Sequence, residues 1–131
     1  MSGTNRQDLR ERTKAFALRI IRLYAALPQT TEAQVIGKQL LRSGTSVGAH
    51  YCEAQRAKSD ADFINKIEGG LQEAEETAYW LELLAESGIV AEGRLQHLHA
   101  EIDELIAILV TMVKNVKAKK KDGRQSQKTE G

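Results

Sequence analysis

Proline, cysteine and long apolar runs are scarce in this sequence, and each shortage excludes a class of protein. The one proline in 131 residues leaves little material for turns and favours long helices. The single cysteine, Cys52, has no partner for an internal disulfide, which fits a reducing compartment. No window approaches the roughly 20 apolar residues of a membrane span, and the polar N-terminus has no apolar signal core. We therefore expect a cytoplasmic protein with no membrane partner.

The charges balance over the chain but not along it. The formal net charge is +1, yet residues 1–58 hold ten Lys/Arg against four Asp/Glu, residues 59–113 hold two against twelve, and residues 114–131 hold seven against two. Such local fields can steer partners or bring copies of the chain together. Alternatively, antiparallel helices of opposite sign neutralise each other within one subunit.

Apolar residues recur at steps of three and four, which predicts four amphipathic helices. We expect helices at about residues 8–26, 31–57, from 59 to a cap at Gly88, and 91–117, with short links between them. Such a pattern is typical of an all-α, antiparallel up-and-down four-helix bundle. The predicted organisation is a flexible N-terminus at 1–7, the bundle domain at 8–117 and a basic disordered tail at 118–131.

Local signals mark the predicted helix ends. Pro28 stops the first helix. Thr31 opens the second, with Gln34 as its capping-box partner. Ser59 opens the third, and Gly88 stands where a left-handed C-terminal cap is expected.

Glycines inside the helical pattern predict kinks or tight crossings. Gly44 and Gly48 share one face of the second helix, and Gly69 and Gly70 are adjacent in the third. Two glycines in a helix cost about 1–2 kcal/mol of helix propensity unless packing compensates. We therefore expect neighbouring backbones to approach closely at these positions.

Apolar side chains beside the main stripes predict either a wide core or self-association. We favour a homo-oligomer. The candidate interface residues are Ile21, Trp80 and Leu83.

The sequence lacks the usual motifs for binding metals and cofactors. A di-metal bundle needs Glu-x-x-His pairs, but no histidine follows a glutamate at that spacing, and no phosphate-binding loop occurs. We expect no metal, no cofactor and no enzymatic activity. A polar stripe borders the core instead, and it is interpreted as a network that fixes helix register, with a binding surface or an acid–base group as alternatives. The stripe consists of Arg42, Ser46, His50, Glu53, Glu73 and Glu76.

The segment 39–88 resembles a known family. Its marks are Arg42, Ser46-Val47, Glu53, Ser59, Asp62-Phe63-Ile64, Glu73, Glu76 and the run Tyr79-Trp80-Leu81-Glu82-Leu83-Leu84. These residues resemble the four helix bundle proteins that include those encoded by intervening sequences in bacterial 23S ribosomal RNA genes, and more distantly the accessory variability protein of diversity-generating retroelements. His50 and Ala54 depart from the family pattern, which usually has Asn and often Gly there.

The resemblance implies a homopentameric ring or barrel with no established enzymatic activity and a role in binding RNA or other nucleic acid. The basic stretches of this sequence agree with weak, salt-sensitive binding of little sequence preference. The candidate binding residues are Arg6, Arg10, Arg12, Lys14, Arg19, Arg22, Lys117, Lys119, Lys120 and Lys121. The alternative is a protein scaffold that docks a polymerase or ribosomal component on its acidic third helix, since the pI is only about 7.9 and few aromatic residues lie on the basic stretches.

Overall fold

Four helices account for nearly all of the chain in a computed structural model, which describes the backbone of residues 6–130 and the side chains of residues 8–121. The helices are α1 (Arg6–Ala25), α2 (Thr31–Gln55), α3 (Asp60–Glu86) and α4 (Glu92–Glu130). Within residues 6–130 there is no strand, and no helix combines the length and apolar character that crossing a membrane requires. The predicted all-α four-helix fold is confirmed.

Sequential helices are antiparallel neighbours. Along the α1–α2 contact, Gly37 faces Tyr24 and Leu27, whereas Gly48, further along α2, faces the earlier Thr13. The core between the helices is filled by aliphatic residues such as Ile67, by Phe16 and by Tyr51. Contacts are dense between α2 and α3, and also join α1 to α2 and α3 to α4, but α1 and α4 touch only sparsely.

The N-terminus of α2 is capped one residue earlier than predicted. Thr30 is the N-cap, and its side-chain oxygen accepts a hydrogen bond from the Ala33 backbone N–H at 3.3 Å. Gln34 does not form a capping box: its Nε2 donates to the Pro28 carbonyl at 2.9 Å, and its Oε1 accepts from the Tyr24 hydroxyl at 2.9 Å. Two adjacent threonines give equivalent capping signals, so the sequence could not choose between them.

The two caps of α3 are as predicted. Ser59 has an extended backbone, and its side chain accepts a hydrogen bond from the Asp62 N–H at 3.0 Å. Gly88 adopts φ = 79°, the left-handed conformation in which a Cβ is strained. This residue ends the turn after α3 and redirects the chain toward α4.

The helical glycines mark tight crossings, as expected. A Cβ on Gly48 would lie 3.0 Å from Thr13 Oγ1, and one on Gly44 would lie 3.0 Å from Ile20 Cγ1. On the other side of α2, a Cβ on Gly70 would lie 3.1 Å from the Cβ of His50. The glycines of α2 thus let it approach α1, and that of α3 lets it approach α2.

The end of α4 corrects the sequence analysis. We expected this helix to stop near Lys117, but its backbone is helical through Glu130. Apolar periodicity ends earlier because the helix passes the end of the other three, and the last core-lining residue is Val113. Beyond it, Ala, Lys, Arg and Gln have high helix propensity, so the helix continues without a core to cover. The tail that we predicted to be disordered, 118–131, is thus helical in its backbone through Glu130. The side chains beyond residue 121, and residue 131, lie outside the described part of the structure.

Candidate nucleic-acid interface

Positive charge collects where α1 begins, α2 ends and α4 leaves the bundle. A depression in the surface joins Lys58 after α2 to Lys119 of α4, with Asp60 also on its edge. A second depression joins Arg10 of α1 to Arg56 at the end of α2, with Glu53 beside them. We call this part of the molecule the basic end, defined by Arg10, Lys14, Arg56, Lys58 and Lys119. It unites segments that lie far apart in the sequence.

A groove between α1 and α2 lies on this side of the bundle. Its volume is about 270 Å³, and an adjoining depression of about 200 Å³ shares Arg10 and Cys52 with it. Arg10 and Lys14 supply its cations. We call it the α1–α2 groove; its lining residues are Arg10, Thr13, Lys14, Ala17, Thr45, Gly48, Ala49 and Cys52.

The cations of the basic end have few acidic partners. Among side chains 8–121, no ion pair within 4.0 Å involves Arg10, Lys14 or Arg56. Their charge is therefore not neutralised by a direct ion pair, although Glu53 lies beside Arg10 and Arg56, and Asp60 lies beside Lys58. Arg56 and Lys58 were not among the predicted binding residues, because grouping charges along the chain does not show which helix ends meet.

Two predicted binding residues are instead engaged within the subunit. Arg12 donates to Glu101 through Nε at 3.1 Å and Nη2 at 2.8 Å, and Nη2 lies 3.2 Å from Glu104 Oε1. The hydrogen bond with Glu101 raises the pKa of Arg12 further above its ordinary value. Lys117 lies 3.4 Å from Glu68 of α3. These contacts support the expectation that oppositely charged helices neutralise each other in part.

The remaining predicted cations are scattered. Arg19 and Arg22 lie toward the other end of α1 and line none of the grooves described above. Lys121 is exposed and Lys120 is half-buried on the extension of α4. The side chain of Arg6 lies outside the described residues.

The polar stripe is divided in two. Arg42 of α2 pairs with Glu73 at 3.1 Å and with Glu76, both on α3, and Ser46 Oγ donates to the Arg42 carbonyl at 2.6 Å. The hydrogen bond with Glu73 raises the pKa of Arg42. Trp80 Nε1 donates to Glu76 Oε1 at 3.0 Å, which ties the group to an aromatic side chain.

His50 and Glu53 form the separate part of the stripe. His50 Nδ1 is buried against Gly69, has no hydrogen-bond partner, and lies 3.7 Å from Glu53 Oε1. Glu53 is mostly exposed, so it does not join the Arg42 group. The stripe thus bridges two helices at Arg42 but does not form one continuous network.

A buried hydroxyl pair between α2 and α3 was missed by the sequence analysis. Ser43 and Thr77 are fully buried, and their side-chain oxygens are hydrogen-bonded at 2.9 Å. Thr77 Oγ1 also lies 2.8 Å from the Glu73 carbonyl oxygen, so its polar atom is satisfied. The sequence signal for this pair was a small hydroxyl residue at a position of each helix where the periodic pattern predicts an apolar one.

The candidate oligomer residues differ in exposure. Ile21 is exposed on α1, whereas Trp80 and Leu83 are half-buried, and Trp80 packs against the subunit's own core. Further large apolar side chains are exposed that the sequence analysis did not select. These are Leu18, Val35 and Tyr79.

Metal ligands do not converge in the described part of the molecule. Across side chains 8–121, no three His, Cys, Asp or Glu residues are grouped so that they could hold a metal ion.

Comparison with known proteins agrees with the resemblance found in the sequence. The model of the family described as 23S rRNA-intervening sequence protein matches residues 6–111. A 1.70 Å crystal structure of a protein with unknown function from the S23 ribosomal protein family of Bacteroides thetaiotaomicron is similar to this fold, with a TM-score of 0.78 and 38% sequence identity; the match covers 83% of this chain and 97% of that one. No curated protein matches the chain, and neither match names an enzyme. The chain therefore belongs to the 23S rRNA-intervening sequence protein family.

Proposed function

We propose that this protein is a non-enzymatic, cytoplasmic homo-oligomer that binds RNA or DNA through phosphate contacts. The observation that carries the proposal is the basic end, where cations from α1, from the segment that follows α2 and from α4 lie together without ion-pair partners among the described side chains. Such contacts follow the charge of the backbone and not the base sequence. The bound nucleic acid would lie away from the acidic outer face of α3.

Oligomerisation multiplies this modest charge. We propose a homopentamer, as the family resemblance implies, held by the exposed apolar residues of α1, α2 and α3. Several copies of one basic end on a single polyanion act at a high effective concentration. Light scattering of the wild-type protein should give about five times the monomer mass. Tyr79→Glu, at a side chain 53% exposed, should shift the protein to smaller species without the loss of core packing that a change at Trp80 would cause.

Salt dependence tests nucleic-acid binding directly. If about four to six phosphates are engaged, affinity for a labelled RNA should fall by roughly two to three decades between 50 and 200 mM salt. Removing residues 118–131 should lower this slope, since Lys119, Lys120 and Lys121 are then lost. Failure of both proteins to bind the RNA at 50 mM salt would contradict the proposed function.

A second candidate function is that of a protein scaffold. Exposed glutamates follow the outer face of α3 at steps of seven and four, around the exposed Tyr79. These glutamates are Glu68, Glu75, Glu82 and Glu86. An acidic surface with an aromatic residue at its centre suits a basic protein partner. Reversal of Glu75 and Glu82 to Lys would abolish docking of such a partner but would not weaken RNA binding.

A further inference from the structure

The α1–α2 groove has one charged wall and a floor of small residues. Arg10 and Lys14 are four residues apart on α1, hence about 6 Å apart along the helix axis and on the same face. The opposite wall contributes Gly48 and Ala49, whose small size keeps the space between the helices open. The groove is therefore both accessible and asymmetric in charge.

The α1–α2 groove continues into a second depression. The adjoining depression shares Arg10 and Cys52 with it and leads to Arg56 at the end of α2. Lys14, Arg10 and Arg56 thus follow one another along a single path within the basic end, and the carboxylate of Glu53 also lies on it, beside Arg56. A chain of anionic groups can meet these cations one after another, whereas a single small anion can use only one or two of them.

The uncharged part of the groove is suited to sugars and not to bases. None of the described side chains that line it is aromatic, so they offer no surface on which bases could stack. The half-buried Thr45 hydroxyl already donates to the Leu41 carbonyl at 2.8 Å and offers only acceptor capacity, while Thr13, whose hydroxyl donates to the Arg10 carbonyl at 3.1 Å, is buried. Contacts would then be made to the backbone, with little dependence on sequence.

We infer that the α1–α2 groove binds the backbone of a single nucleic-acid strand, with Arg10, Lys14 and Arg56 on its phosphates. This inference rests on the proposed function and makes it specific. A space of about 270 Å³ between two helices can take a short stretch of one sugar-phosphate backbone, whereas the width of a duplex would restrict it to the rim. Single strands therefore bind more tightly than duplexes of the same sequence.

The experiment compares two pairs of substitutions with the same change in net charge. Arg10→Gln with Lys14→Gln removes the groove cations, whereas Arg19→Gln with Arg22→Gln removes two cations of the same helix that line none of the grooves described. Fluorescence anisotropy with a labelled single-stranded 20-nucleotide RNA, and with its duplex, reports affinity at several salt concentrations. The groove pair should reduce the slope of log affinity against log salt by about 1.4, or about 0.7 per lost phosphate contact, and the control pair should reduce it by much less.

A steric variant separates the groove from general surface charge. Ala49→Leu fills the groove from an exposed position and leaves every charge in place, and Ala100→Leu makes the same change on the exposed face of α4. Ala49→Leu should weaken single-strand binding by about tenfold, about 1.4 kcal/mol, with unchanged light scattering and melting temperature. Ala100→Leu should leave binding unchanged.

Three results would overturn the inference while leaving the proposed function intact. These are equal loss of binding in the two charge pairs, equal affinity for duplex and single strand, and unchanged binding by Ala49→Leu. A change in oligomer size with Ala49→Leu would identify the groove as a contact between subunits, which also overturns it. If the wild-type protein binds neither nucleic acid, the proposed function fails as well.

Discussion

Two helix–helix contacts of the bundle, α2–α3 and α1–α4, each carry an arginine between two glutamates. The packing of the helices beneath these two ionic groups differs. Between α2 and α3, Arg42 lies between Glu73 and Glu76; between α1 and α4, Arg12 lies between Glu101 and Glu104. The first group covers a closely packed contact, whereas the second joins helices that otherwise touch sparsely.

The difference shows that packing, more than ion pairing, determines how tightly helices associate. Under the Arg42 group, Gly70 lets the backbones approach and the hydroxyls of Ser43 and Thr77 meet in the core. Between the described parts of α1 and α4 there is neither a glycine crossing nor a buried hydroxyl pair. We expect the ionic group to contribute more where it is the main contact and less exposed, at Arg12.

Gly70→Val should have the largest effect, because it inserts atoms into the α2–α3 crossing. The new Cβ would lie 3.1 Å from His50 Cβ and 3.6 Å from the Val47 carbonyl oxygen. Overpacking of about 1–3 kcal/mol should lower the melting temperature by about 5–10 °C in circular dichroism. Gly93→Val is the control, since a Cβ there meets nothing within 4 Å. Equal melting of the two variants would contradict the tight crossing.

Thr77→Val should destabilise the protein by about 1 kcal/mol, because the Ser43 hydroxyl then loses a partner in the core. Urea denaturation of Thr77→Val, Ser43→Ala and the double variant measures the coupling. The double variant should lose less free energy of unfolding than the sum of the single ones. Additive effects would indicate that the hydroxyls stabilise their own helices and not the seam.

Arg12→Gln should cost about 0.5–1 kcal/mol, since the Arg12 and Glu101 side chains are only 24% and 22% exposed. The raised pKa of Arg12 keeps the guanidinium charged throughout the usual pH range, so raising the pH to 10 should not reproduce the effect. High salt should reduce the stability of the wild-type protein as the substitution does, because it screens the pair. A double-mutant cycle with Glu101→Gln in urea gives the coupling energy, and a value near zero would contradict this role.

Arg42→Gln should have the smallest effect, within about 0.5 kcal/mol, because its side chain is 49% exposed and solvent screens the pair. A larger loss of stability would be expected if the residues of the polar stripe were buried away from water. A urea midpoint close to wild type would fit this expectation. A loss larger than that of Arg12→Gln would reverse the proposed ranking of the two ionic groups.

Most of the fold could be predicted from local sequence signals, whereas contacts between residues distant in the sequence could not. The helices follow from apolar periodicity, and Ser59 and Gly88 mark the ends of α3 through side-chain capping and left-handed backbone geometry. Ser43 and Thr77 are 34 residues apart, so their contact depends on the crossing of two helices and not on either sequence alone.

The candidate site was predictable only in part. Arg10 and Lys14 stand in a basic stretch of α1 and were identified, but Arg56 joins them only because α2 ends beside the start of α1. Arg12 belongs to the same stretch, yet a step of two residues, about 200° around the helix, separates it from Arg10 and places it beside Glu101. Charge along a chain therefore overestimates the number of cations that one surface can offer.

The sparse contact between α1 and α4 also determines how the molecule opens before it unfolds globally. Helix α1 is held along one flank by α2, so its detachment would break one extensive interface and leave the α2–α3 and α3–α4 interfaces intact. Cooperative units of this kind open at a lower free energy than the whole domain and exchange their amide hydrogens sooner. Detachment would expose Leu9, Phe16 and Ile20 and dismantle the wall that carries Arg10 and Lys14. Hydrogen exchange should therefore report early opening of α1, the helix that carries Arg10 and Lys14 of the proposed binding surface.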